Sequence, residues 1–231
     1  MHNRETGSTI GFVGMIHAGN QEYYDDIAEY LRGAEKRGSV VHYEGVKKAV
    51  EGDELPEEWV EEAAEAFGQA LPADLIIRHV RDAKKQREAL AYQDHWQNHD
   101  VSMHEVVQRL GSEVVSEFVK DAGSISKAES EFGPEKFGKF LRKVLLALPT
   151  LAPLKDLLKL GDRRMHDVIV TYRNEVALRA VRRQIAAEPG RDITLLWGAG
   201  HGPGVIKGLE RLGYRKLGTT WLNALTVEPP L

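Results

Sequence analysis

A short apolar run, followed at once by Gly-x-x-His and then by a helical pattern, occurs twice in this chain. The first copy has its run at 10–13, the turn GMIH at 14–17 and a helical pattern over 22–36. The second has its run at 193–197 and the turn GAGH at 198–201, before a second helical pattern. Runs this short are typical of buried strands, and glycine permits the sharp turn that follows each. The two units therefore indicate an α/β fold.

Each histidine of these units follows the carboxyl end of its strand, which is the edge of an open α/β sheet where ligands bind. The run 39–43 is predicted to be the next strand, and it places Glu44 at the same edge. If these strands are neighbours, His17, Glu44 and His201 converge. Two imidazoles and a carboxylate are a common ligand set for a catalytic divalent metal. The alternative is that each histidine only caps a helix or makes a hydrogen bond.

The length of 231 residues fits one α/β domain over 1–231, with a large helical insert at about 84–188. We expect a mixed sheet built from two βαβ-like halves. The other predicted elements are a loose tail at 1–9, a helix at 57–69, a possible third strand at 73–80, a helix at 103–121, a surface loop at 123–135, a basic helix at 135–148, a short helix within 149–161, a long helix at 162–187 and a last strand or two at 214–226.

Composition excludes several classes of protein. The formal charge of −4 gives no electrostatic reason to expect nucleic acid as a partner. There is no cysteine, so disulfides and cysteine-based metal sites are excluded. Residues 1–12 lack the apolar core of a signal peptide, and no run of ~18 apolar residues exists. We therefore expect a cytoplasmic protein with no membrane partner.

Two other polar groups are weaker candidates for a site. Arg173 and Asn174 lie in the long predicted helix beside an apolar stripe, where an arginine can clamp a carboxylate or stabilise an oxyanion. The alternative, which the sequence favours, is a solvated helix face. His95 and His99 have the i, i+4 spacing of metal ligands on a helix, but no helical pattern surrounds them. A turn held by Asp100 is expected there instead.

The glycine-rich stretch at 198–204 does not match the known nucleotide-binding patterns. Its glycines do not follow the GxGxxG spacing, and no acidic residue follows a second strand about 20 positions on. The chain also lacks the Gly-Lys-Ser/Thr of a phosphate-binding loop and the Gly-x-Ser-x-Gly of a nucleophile elbow. Nucleotide binding is therefore the weaker interpretation of this stretch.

The order of these motifs resembles the TraB/GumN/Tiki family, which belongs to a wider group with erythromycin esterases and ChaN-like proteins. The resemblance runs from Ile10 to Tyr214, and the GAGHxxG stretch is its most specific part. It implies a hydrolase that uses a divalent ion such as Mn²⁺, Co²⁺ or Zn²⁺; Tiki itself is a peptidase. It also implies metal ligands and catalytic side chains, which on this chain are His17, Glu44, Arg173 and His201, with Asn174 beside them.

The chain departs from the family pattern in its first turn, where GMIH is followed by AGN and relatives often have Gly-Thr-x-His followed by Val or Leu. We also expect neither the signal peptide nor the membrane anchor of Tiki. ChaN-like relatives bind haem-type ligands, so the fold does not fix the chemistry. We expect a hydrolase of peptides or small molecules. The alternatives are a non-catalytic protein that binds metal or a small ligand, and a helical interaction module whose polar turns are structural.

Overall fold

A computed structural model describes residues 1–47, 56–70, 73–147 and 163–227. Its strands are β1 (Ile10–Met15), β2 (Ala18–Gly19), β3 (Val40–Tyr43), β4 (Lys84–Lys85), β5 (Gln97–Asn98) and β6 (Ile193–Gly198). Within this part of the chain, a four-stranded sheet has the order β1-β6-β3-β5, and all of its neighbouring strands are parallel. A second, antiparallel pair joins β2 to β4. The predicted α/β class is confirmed.

The register of the sheet brings the ends of three strands together. β6 lies between β1 and β3, with Gly198 opposite Met15 and Leu196 opposite Tyr43. Residues 193–197 of β6 are all buried, as expected for a central strand covered on both faces. The segments that carry His17, Glu44 and His201 therefore leave the sheet at one edge, as the sequence predicted.

Helices surround the sheet. They are α1 (Gln21–Lys36), α2 (Glu57–Ala70), α3 (Ala73–His79), α4 (Gln86–Ala89), α5 (Met103–Leu110), α6 (Ser112–Phe132), α7 (Pro134–Ala147), α8 (Arg163–His166), a π-helical segment (Asp167–Tyr172), α9 (Arg173–Ala187), a 3₁₀ turn (Ala199–His201) and α10 (Gly202–Arg211). In the described ranges, no helix is both long and apolar enough to cross a membrane. The short helix expected within 149–161 lies outside the described residues.

Each face of the sheet has its own hydrophobic cluster. On one face, Tyr24 and Ile27 of α1 pack with Leu196 of β6. On the other face, Val181 of α9 and Leu209 of α10 pack in a cluster that also includes Leu195 of β6. A third cluster joins α2, α5, α6 and the π-helical segment. These contacts hold α9 against the sheet, next to the edge where the segments that carry His17, Glu44 and His201 begin.

Two predicted elements are wrong between residues 73 and 135. Residues 73–79 form α3 rather than a strand, because Ile76 and Val80 lie four apart and pack together beside Ala18. The loop expected at 123–135 is helical as far as Phe132. Its helix is tied to α3 by Arg78, which donates to Glu129. Polar composition suggested a loop, although a solvated helix has the same composition.

The helix expected at 103–121 is broken, and the sheet gains a strand inside the expected insert. Gly111 adopts a positive φ of 80° between α5 and α6, a conformation that glycine adopts readily. β5 pairs with β3 at His42–Gln97 and Tyr43–Asn98, so part of the range 84–188 belongs to the sheet. The long helix expected at 162–187 is present over its described part, from Arg163 onward, as α8, the π-helical segment and α9.

The segment 1–9 is packed, so the prediction of a loose tail is wrong. The amino group of Met1 donates to the carbonyl of Ile10 over 2.6 Å. His2 exchanges backbone hydrogen bonds with Arg215, and the Ser8 hydroxyl lies 2.7 Å from the hydroxyl of Tyr214. Apart from this bridge at Arg215, the described residues 214–226 contain no strand, contrary to expectation.

The packing predicts that Leu209 contributes strongly to the stability of the fold. Leu209 is fully buried in the cluster under α9, whereas Leu217 is 73% exposed. We expect Leu209→Ala to lower the free energy of unfolding in urea by about 2–5 kcal/mol, because it removes buried methyl groups and leaves a cavity. Leu217→Ala is the matched control and should change it by less than about 0.5 kcal/mol. Equal effects of the two substitutions would contradict this packing.

Candidate functional site

The candidate site lies where β1, β3 and β6 end. The turns after β1 and β6 are close neighbours, since a Cβ placed on Gly14 would lie 3.4 Å from the Cα of Ala199. The chain continues its pairing past β3, because the N–H of Glu44 donates to the carbonyl of Leu196 over 3.0 Å. Glu44 is therefore held beside the second Gly-x-x-His turn.

His201 is buried and is oriented by Asn174 of α9. Its Nδ1 lies 2.8 Å from the side-chain oxygen of Asn174. An amide oxygen only accepts hydrogen bonds, so Nδ1 donates, and in the neutral ring Nε2 carries the lone pair. A side chain at position 204 would overlap the Asn174 amide, so Gly204 makes room for this partner. Gly204 thus serves the site as well as the turn.

Glu44 is the carboxylate that faces this histidine. One oxygen, Oε2, accepts from the N–H of Gly198, and Oε1 accepts from Arg173 over 2.5 Å. Oε1 also lies 3.4 Å from Nε2 of His201. Burial acts to raise the pKa of Glu44, but the interactions with His201, Arg173 and Gly198 outweigh it and lower that pKa from 4.5 to about 2. Glu44 is therefore ionised at neutral pH.

Arg173 links Glu44 to a second carboxylate, Asp100, whose side chain has no exposed surface. Arg173 donates from Nε to Asp100 Oδ1 over 2.9 Å and from Nη2 to Oδ2 over 2.6 Å. Asp100 also accepts from the backbone N–H groups of Gly45 and Val101. Burial would lower the pKa of Arg173, but Asp100 and Glu44 raise it well above its ordinary value. The arginine is therefore permanently charged.

The backbone just before Arg173 is π-helical, a conformation that is found frequently at functional sites. Its carbonyl at Ile169 accepts from Nη1 of Arg173 over 3.4 Å. The segment ends at Tyr172, which donates its hydroxyl hydrogen to Glu105 and stacks under the guanidinium of Arg109, 3.6 Å from the ring centroid. These contacts fix the start of α9, and with it the position of Arg173.

The charges of this network do not balance. Among the described residues of the site, Glu44 and Asp100 bring two negative charges, and Arg173 brings one positive charge. With His201 neutral, the network has one excess negative charge in a largely buried position. The lone pair of Nε2 also faces a carboxylate oxygen at 3.4 Å, an arrangement that is unfavourable unless a proton or a cation lies between them.

The structure brings four of the predicted site residues together, namely Glu44, Arg173, Asn174 and His201. His17 is exposed in the turn after β1, and its carbonyl accepts from the N–H of Gln86. In the ranges that the structure describes, no group of three or more His, Cys, Asp or Glu side chains is placed to hold a metal ion. Ligation of a metal by His17, Glu44 and His201 together stays a prediction.

The histidines at 95 and 99 do not act as a pair. His95 lies at the surface, 2.5 Å from Glu35, and the ring of His99 packs edge-on against His42 with centroids 4.4 Å apart. The turn that the sequence expected Asp100 to hold is present. Its carboxylate binds the amides of Gly45 and Val101, and its link to Arg173 was not predicted.

Comparison of the chain with family models, with curated proteins and with solved structures found no match. The resemblance to the TraB/GumN/Tiki family therefore rests on the order of its motifs alone.

The pKa of Glu44 predicts how acid affects the fold. The unfolded chain binds a proton at Glu44 near pH 4.5 and the folded chain near pH 2, so this contribution to stability is complete above pH 4.5 and is lost as the pH falls toward 2. At pH 7, Glu44→Gln should therefore lower the free energy of unfolding by about 3 kcal/mol. In urea titrations at pH 7, 4 and 3, the difference from wild type should shrink with each step.

The control for this prediction is Glu175→Gln on the exposed side of α9. It removes the same charge one residue after Asn174 and should change the free energy of unfolding by less than about 0.5 kcal/mol at each pH. A Glu44→Gln effect that is equally large at pH 7 and pH 3 would show that charge is not what Glu44 contributes.

Proposed function

We propose that this chain is a divalent-metal-dependent hydrolase of the TraB/GumN/Tiki type that acts on a peptide or a small-molecule ester. The observation that carries the proposal is the approach of His201 Nε2 to Glu44 Oε1 at 3.4 Å, in a site that has one excess negative charge when His201 is neutral. Two ligands bound to a tetrahedral ion at about 2.0–2.1 Å lie about 3.4 Å apart. The donor types, their separation and the charge therefore all fit a divalent cation.

His201 and Glu44 would hold this ion, with His17 as the proposed third ligand. The turn that carries His17 lies against the turn of His201, and the side chain of His17 is exposed, so no packing contact holds it away from the ion in this proposal. Such a set leaves a coordination position for water, whose pKa a bound divalent ion lowers enough to make it a nucleophile at neutral pH. The cytoplasmic location expected from the sequence is part of this proposal.

The other residues of the site orient the two proposed ligands, His201 and Glu44. Asn174 keeps the proton on Nδ1 of His201, so that Nε2 is presented as a donor atom; such partners commonly raise metal affinity. Arg173 and the N–H of Gly198 hold the Glu44 carboxylate in place. A Cβ on Gly200 would meet nothing within 4 Å, so the turn faces open space that a substrate could enter.

Arg173 receives a different role in this proposal from the oxyanion contact that the sequence suggested. Four of its five N–H groups face acceptors on Asp100, Glu44 and Ile169. Little of the guanidinium is left for a reacting oxygen, and its side chain is only 7% exposed. Its contribution is therefore to keep Glu44 ionised and oriented.

A non-catalytic protein that binds metal or a small ligand on the same scaffold is the second candidate. Burial favours it, because the side chain of His201 is only 7% exposed and that of Glu44 only 12%. Such a site retains an ion well but offers a substrate little contact. The two candidates share the metal site and differ in whether the loaded protein hydrolyses anything.

We predict that purified wild-type protein binds one equivalent of Co²⁺, Mn²⁺ or Zn²⁺ in calorimetric titrations. His201→Ala should weaken this affinity by ~10²-fold or more, since it removes a ligand and not merely a supporting partner. His95→Ala is the matched control, because it removes a surface imidazole that pairs with Glu35. Its affinity should stay within about twofold of wild type.

The same preparations separate the two candidates. Protein that has been stripped with a chelator and reloaded is assayed on a panel of activated esters and peptides. Hydrolysis that depends on the metal and on His201 supports the enzyme. Metal uptake without hydrolysis favours the passive metal-binding protein, and equal metal uptake by wild type and His201→Ala contradicts both.

A further inference from the structure

We infer that Asp100, which the sequence suggested only as a turn residue, sets the charge of the cation site and thereby the affinity of His201 and Glu44 for a divalent ion. Asp100 is a positioning residue in this inference, because it acts through Arg173 and does not touch the ion. The inference rests on the proposed function, since it concerns the same site.

Asp100 itself has no remaining capacity to bind a cation. Its Oδ1 accepts from Val101 N–H and Arg173 Nε, and its Oδ2 accepts from Gly45 N–H and Arg173 Nη2. These four bonds use the lone-pair positions of the carboxylate. Glu44, in contrast, accepts from Gly198 and from one nitrogen of Arg173, which leaves positions on both of its oxygens.

The two carboxylates share Arg173 unequally. Asp100 takes two of its N–H groups in the side-by-side geometry that guanidinium and carboxylate prefer, and Glu44 takes one. The positive charge of Arg173 is therefore neutralised mainly by Asp100. Glu44 keeps most of its own negative charge, which is what a cation beside His201 would need.

If Asp100 loses its charge, Glu44 becomes the only carboxylate that pairs with Arg173 in this network. With an amide at position 100, one carboxylate and one guanidinium remain, so the net charge of the network changes from −1 to zero when His201 is neutral. Arg173 would then pair fully with Glu44 and compete with any cation for its oxygens. Residues outside the ligand shell that act in this way commonly change metal affinity by ~10–100-fold.

The test measures Co²⁺ and Mn²⁺ affinity by calorimetry for wild type, Asp100→Asn and the double variant Asp100→Asn with Arg173→Met. We expect Asp100→Asn to bind ~10–100-fold more weakly than wild type. The double variant has the net charge of wild type again, and the N–H of Gly198 still holds the Glu44 carboxylate, so its affinity should recover most of that loss. If Asp100 were merely structural, the double variant would bind no better than the single one.

Two controls separate charge from folding. Asp94→Asn removes the same charge from an exposed position and should leave the affinity within about twofold of wild type. Circular dichroism and urea unfolding confirm that each variant is folded before it is titrated. If Asp100→Asn alone does not fold, the double variant, which has no unpaired arginine, is compared directly with wild type, and a loss of affinity greater than ~10-fold overturns the inference.

The outcomes distinguish this inference from the proposed function. If wild type binds no divalent ion, the proposed function fails and the inference fails with it. If wild type and Asp94→Asn bind but Asp100→Asn binds equally well, the metal site stands and only the role of Asp100 is overturned. Weak binding by both the single and the double variant would also overturn it.

Discussion

The ion pairs of Arg173 with Asp100 and Glu44 are the interaction on which the rest of the site depends. A buried carboxylate is costly unless it is paired, and here one guanidinium serves two of them. Because these residues come from α9, from the turn after β5 and from the end of β3, the network joins three separate parts of the chain. The other carboxylate oxygen of Glu44, Oε2, accepts a hydrogen bond from the N–H of Gly198, which extends the network to β6.

The second Gly-x-x-His turn is shaped by this network. A Cβ at position 198 would lie 2.9 Å from Glu44 Oε2 and 3.4 Å from the His201 ring, so only glycine lets the backbone approach the carboxylate this closely. The two copies of the motif are therefore not equivalent. The copy after β6 forms the buried part of the site, whereas the copy after β1 presents His17 at the surface.

The sequence was sufficient for the sheet edge and for placing Glu44 and His201 there, but it favoured a solvated face for Arg173 and Asn174, which are buried. Short apolar runs followed by a Gly-x-x-His turn identify β1 and β6. The local sequence pattern did not determine the secondary structure of residues 73–79, because a short apolar stretch fits a strand or a helix equally well. It also could not assign Asp100 its main partner, because Arg173 lies 73 residues further along the chain and contact depends on packing of α9.

Anomalous diffraction tests most directly whether a divalent cation binds between His201 and Glu44. Crystals soaked in Mn²⁺ or Co²⁺ would be measured on both sides of the metal absorption edge. We predict an anomalous peak about 2.0–2.3 Å from both His201 Nε2 and a Glu44 oxygen. Bound metal at other positions, with no peak here and the contact between His201 and Glu44 unchanged, would contradict it.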